Sequence, residues 1–138
     1  MFLVLFLVIN IKSAFTNEKF FLSADTISKN EKNNTIKAEG NVKITNNQYK
    51  LQANEIIYYL NEKKVFAKGN VIIIEKNANV IYATEAELSN DLKSNIIKNI
   101  GVLLSDNSRI AASSAKSIKD NNKTIYSNIV FTKCKSCK

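Results

Sequence analysis

The sequence predicts an all-β fold, a rolled β-sandwich or jelly roll of repeated antiparallel strands, and three observations predict it. Ile36, Ala38, Gly40, Val42 and Ile44 alternate with Thr35, Lys37, Glu39, Asn41, Lys43 and Thr45, the period of two that gives a strand one apolar face. The stretch Ala38-Glu39-Gly40-Asn41-Val42 returns 29 residues later as Ala67-Lys68-Gly69-Asn70-Val71, with matched apolar residues on either side. Seven polar clusters, Ser28 to Asn34, Asn46-Asn47, Asn61 to Lys64, Glu75 to Asn79, Ser89 to Asn95, Ser105 to Ser108 and Lys119 to Lys123, punctuate the chain at a steady beat. Such clusters mark turns between strands.

Eight segments rich in Ile, Val, Tyr, Phe and Thr lie between these turns, near 20–28, 35–45, 48–60, 64–74, 80–88, 95–104, 109–118 and 124–133. Two strands and two turns make one repeat, and Val42, Val71, Val102 and Val130 mark successive passes. The other strand of each pair begins near Ala24, Ala53, Ala83 and Ala111. In the third segment Tyr49, Leu51 and Ala53 share a face with Glu55, Ile57 and Tyr59, so a charge interrupts the apolar row. In the fourth the apolar face continues as Val65, Ala67, Gly69, Val71 and Ile73, while Phe66, Ile72 and Ile74 make the opposite face apolar too, as in a strand covered on both sides. Ala83 to Leu92 also suits a short helix, and the repeat favours strand. In the sixth segment Lys98 falls in the row of Ile96, Ile100, Val102 and Leu104, marking either a mouth of the core or a bulge, and Gly101 stands one place out of register. Single repeats cannot bury their apolar faces, so the passes stack or roll; small residues for β-helix corners are scarce, which favours a rolled pair of sheets.

A chain of 138 residues, 45% of them hydrophobic, is one domain with a real core and not a disordered chain. Histidine is absent, which removes the commonest general base, the usual nucleophile pairings and most metal sites. The sequence therefore gives no support for an enzyme, a cofactor or a metal centre. The net charge of +8 is distributed over the chain without interleaved aromatics, which argues against nucleic acid and suits an anionic partner such as a phosphorylated lipid headgroup, or simply solubility.

Phe2 to Ile9 is an unbroken apolar run, too short to span a bilayer and the right length for the core of a secretory signal over residues 1–15. No basic residue precedes it, and Lys12 stands where the cleavage rule wants a small residue; an uncleaved anchor or a start site further upstream are the alternatives.

The apolar row has two readings: a closed, dry core between sheets, or a sheet pair that stays partly open so that acyl chains lie between its faces. Each methylene buried there stabilises a complex by about 0.8 kcal/mol, without any catalytic signature.

The Ala-polar-Gly-Asn-Val repeat, followed by Tyr49-Lys50-Leu51-Gln52-Ala53 and Tyr58-Tyr59, resembles the OstA-type domain shared by the lipopolysaccharide transport proteins LptA, LptC and the N-terminal part of LptD. The resemblance runs from about Phe20 to Phe131, within a domain placed at 20–132. It implies a periplasmic β-jellyroll open along one seam, joined end to end with other such domains by edge-strand pairing. It also implies lipopolysaccharide as partner, held in an apolar groove and passed toward the outer membrane. Matched onto this chain, the groove lining is Ile36, Ala38, Val42, Ile44, Leu51, Ala53, Val65, Ala67, Val71 and Ile73, followed by Val102 and Leu104.

Within the tail at 133–138, Cys134 and Cys137 form a Cys-x-x-Cys just beyond the domain, similar to the alphaproteobacterial LptD branch, where an outer-membrane barrel follows and a lipoprotein partners it. Two cysteines without histidine do not complete a tetrahedral zinc site. In an exported chain they form a disulfide, either with each other or with thiols elsewhere. The competing reading of the whole chain is an exported structural or adhesive β-repeat protein with a closed core.

Overall fold

Strand formation follows the alternation closely. The computed structural model describes residues 21–47, 49–89, 94–118 and 123–133. The leader over 1–15 and the Cys134/Cys137 pair lie outside the described residues. Ten strands follow one another in chain order: β1 (Phe21–Ser23), β2 (Thr26–Asn30), β3 (Thr35–Thr45), β4 (Tyr49–Tyr59), β5 (Lys64–Glu75), β6 (Val80–Ser89), β7 (Asn95–Leu103), β8 (Arg109–Ile118), β9 (Lys123–Ser127) and β10 (Val130–Thr132). They form one antiparallel meander in the order β1-β3-β4-β5-β6-β7-β8-β10, with β2 also on β3 and β9 also on β8. The stretch from Ala83 is strand as far as Ser89, and residues 90–92 lie outside the described residues.

Each end of the meander departs from the eight expected strands in the same way. The first expected strand is two, broken at Ala24-Asp25 and running on to Asn30, so that its turn begins at Glu31 and not at Ser28. The last is also two, broken at Asn128-Ile129.

A recurring clamp causes both breaks. Asn41, Asn70, Asn99 and Asn128 all have positive φ, between 47° and 52°. Asparagine tolerates that left-handed conformation better than other side-chain-bearing residues. Each side-chain amide donates a hydrogen bond to a polar residue on the preceding strand of the repeat: Asn41 to Asp25 (3.1 Å), Asn70 to Asn54 (3.5 Å), Asn99 to Thr84 (3.0 Å) and Asn128 to Ser113 (3.1 Å). Each acceptor directly follows an alanine: Ala24, Ala53, Ala83 and Ala112. The true small-residue marker of the last pass is thus Ala112, which is buried, and not the exposed Ala111.

The first two clamps carry an extra residue, Gly40 or Gly69, with φ near +77°, and there the ladders of β3 and β5 shift register. These are β-bulges. A Cβ on Gly40 would collide with the Asp25 carboxylate, and one on Gly69 would lie 2.7 Å from Asn54 Nδ2. The later clamps lack the extra residue and use shorter acceptors. Thr84 and Ser113 hydroxyls reach back to the carbonyls of Lys98 (3.3 Å) and Ser127 (3.0 Å) as well.

At every clamp the inward set skips an additional position. Ala53 and Ile56 both point inward with Asn54 and Glu55 outside; Ile97 and Ile100 do so with Lys98 and Asn99 outside. Glu55 therefore does not interrupt the inner row, because the row changes phase before reaching it. Lys98 marks neither a bulge nor a mouth: β7 pairs in constant register on both sides, and the lysine sits outside, 3.0 Å from Glu85. Val130 is 61% exposed, and the inner-face equivalent of Val42 and Val71 in the third pass is Ile100.

Candidate functional site

Three apolar rows cross the sheet on its inner face, perpendicular to the strands. One runs Ile27, Ala38, Ile56, Ala67, Ala86, Ile97, Ala115 and Tyr126 through successive register partners. Another runs Leu22, Ile44, Leu51, Ile73, Ile81, Val102, Ile110 and Phe131. Between them lies the clamp row, in which alanines of one strand alternate with Val42, Val71 and Ile100 of the next. Small beside large lets a sheet coil over its own face. A flat sheet leaves both faces wet, whereas here Leu51, Ala67 and Ala86 are fully buried, so the sheet rolls about this face.

Ten of the twelve residues expected to line the groove belong to this one buried cluster: Ala38, Val42, Ile44, Leu51, Ala53, Val65, Ala67, Val71, Ile73 and Val102. Leu104 is half-buried against it, and Ile36 is half-buried in a fourth row with Tyr58, Val65 and Leu88. That row turns polar where Leu88 meets Asn95 and Asn95 meets Ser117. The same cluster holds Ile56, Ala86, Leu88, Ile97, Ile100, Ala112 and Ala115, absent from the expected lining. The signal that finds them is the unvarying 29-residue spacing of Asn41, Asn70, Asn99 and Asn128, which resets the phase of alternation in each pass.

The roll does not close into a barrel. β1 and β2 share one flank of β3, β9 and β10 share one flank of β8, and among the described residues these two edges carry no ladder to each other. Unpaired N–H and C=O groups on an edge are a template for another strand.

Charge is concentrated on the outer face, where lysines and glutamates on neighbouring positions compensate one another; Glu75, the register partner of Tyr49, and Lys29, that of Ile36, stand at the ends of the inner face. Glu39 and Glu55 stand directly opposite, and Lys37 bridges both at 2.9 and 3.2 Å. Hydrogen bonds that Lys37 donates to Glu39 and then to Glu55 hold its ammonium above its usual pKa. Lys64, 2.8 Å from Glu87, is raised for the same reason. In the β7–β8 turn Asp106 is held below the usual carboxylate range, chiefly by the Ser108 amide that donates to it at 2.9 Å.

No protein-family model matches the sequence, and no curated protein matches it. Solved structures do match. One is LptH of Pseudomonas aeruginosa, described as the LptA-homologous periplasmic component of the lipopolysaccharide transport device, superposed with a TM-score of 0.72 over 85% of this chain and 96% of that one, at 12% identity. The likeness is one of fold: this chain is built on the same all-β, openly rolled antiparallel sheet as LptH.

Proposed function

We propose that the chain is a lipopolysaccharide-binding and transport module of the periplasm, exported by its leader, that passes lipid along its inner apolar face toward assembly in the outer membrane. The observation that carries this reading is the likeness to LptH, which extends over nearly all of both chains. The three rows through Ala38, Val42 and Ile44 supply what acyl chains need, apolar side chains on every strand from β3 to β8. They pack on one another, so acyl chains enter as the halves of the roll part along the seam between its unpaired edges. Burial of about 0.8 kcal/mol per methylene offsets the side-chain packing that parting the halves disrupts. The edges β1/β2 and β9/β10 pair with other OstA-like domains by strand addition. The Cys134/Cys137 tail, in this reading, belongs to an LptD-like arrangement with a following barrel and its lipoprotein partner.

One observation favours the competing reading of a structural or adhesive protein: the inner residues are already packed to near-zero exposure. Purification from a lipopolysaccharide-making cell, with bound lipid measured by mass spectrometry, separates the two. The transport reading expects lipopolysaccharide to accompany the folded chain; a folded chain that carries none and takes none up from lipopolysaccharide dispersions contradicts it.

A further inference from the structure

Gly101 has no structural reason to be glycine. Its φ lies outside the left-handed region, the ladders on both sides of it run in constant register, and a Cβ there would meet nothing within 4 Å. Glycine inside a strand weakens it, and where no bulge or bend requires it the remaining reason is close approach of a ligand or another backbone. The space above Gly101 is a pocket of about 530 Å³ on the outer face, within the range of small-molecule sites. Its floor is Gly101 and Ala111, register partners on β7 and β8, and the same row continues to Tyr82 on β6 and Val130 on β10. The tall side chains at each end thus stand three strand spacings apart, about 14 Å, over a floor of small residues.

One end of the pocket is charged. Arg109, the single arginine among 20 basic residues, lines it beside Leu103, its register partner. Among the described residues no carboxylate pairs with Arg109, and the nearby Asp106 is engaged by the Ser108 amide. A guanidinium is suited to hold a carboxylate or phosphate with two parallel hydrogen bonds.

From this juxtaposition of an unneeded glycine, an apolar trough and an unpaired arginine, we propose that the outer face over Gly101 binds a small amphiphilic anion, its apolar body lying on Gly101 and Ala111 and its carboxylate or phosphate meeting Arg109. The site lies on the opposite face from the inner rows and does not depend on the transport reading.

The test is NMR titration of the full chain with decanoate and with decyl phosphate, below their micelle concentrations, beside decanol and inorganic phosphate. Either anionic amphiphile is expected to shift the Gly101, Ala111 and Val130 amides saturably, and the stronger of the two identifies the headgroup. Decanol and Arg109→Gln are each expected to weaken binding at least about tenfold, as loss of a charged hydrogen bond requires. Gly101→Leu fills the trough without touching the core and is expected to abolish binding while leaving the remaining spectrum in place. Equal binding of decanol, binding that survives Gly101→Leu, or shifts confined to inner-face residues such as Val71 would each overturn the proposal, as would no shift with either anion.

Discussion

Three glycines occupy strand interiors here for different reasons, and substitution separates them. Gly40→Ala places a Cβ against the Asp25 carboxylate at a backbone angle that alanine disfavours. It is expected to lower unfolding free energy by about 1–3 kcal/mol. Gly101→Ala meets no neighbour and is expected to raise it by about 0.5–1 kcal/mol, the ordinary advantage of alanine over glycine in a strand. Urea denaturation of both variants checks the pair, and a loss at Gly101 comparable to that at Gly40 would contradict this account of the bulge. At this scale the sequence was partly legible. The glycines of the first two passes were visible, but glycine is not what recurs. Asn99 and Asn128 keep the left-handed conformation after the glycine has gone, so valine spacing points to Val102 and Val130 while the clamp residues are followed by Ile100 and Ile129.

The central strands β3 to β8 and the turns described between them were legible, because alternation and polar clusters are local signals. What was not legible was the phase. At each clamp two or three consecutive residues point outward, so strict alternation carried across Asn54-Glu55 or Lys98-Asn99 puts charges on the inner face that the structure keeps outside. The same interruption splits each end strand into two pieces. The β7–β8 turn offers a pH test at this level. Asp106 is held below its ordinary pKa by the Ser108 amide, so its folded value is depressed relative to the unfolded chain. Its contribution to the turn is therefore present above the ordinary carboxylate range and is lost as pH falls through the depressed folded value. The Ser108 amide resonance should move with that lower midpoint, and Asp106→Ala should remove the transition. A midpoint at or above the ordinary carboxylate value would show that the hydrogen bond does not hold in solution.

Across the whole molecule, rows running through successive register partners from β3 to β8 make the roll one cooperative core. Leu88→Ala, at a residue with 1% exposure, is expected to cost about 2–5 kcal/mol and to loosen strands on both sides of β6 together, read by hydrogen exchange. Protection lost in β6 alone would mean the rows do not couple the strands. The fold class was legible at this scale because repeated one-sided strands must stack or roll, and the scarcity of small corner residues left rolling. Whether the face opens was not, since a row of buried side chains looks the same in sequence whether its partner is another strand or an acyl chain. The direct test places a photoreactive residue at Val71, buried on the inner face, and at Lys68, exposed on the outer face of the same strand, in a lipopolysaccharide-making cell. A lipopolysaccharide adduct from Val71 and none from Lys68 is the predicted result. Adducts from neither position in a folded, exported chain, or from Lys68 alone, would contradict transport along the inner face.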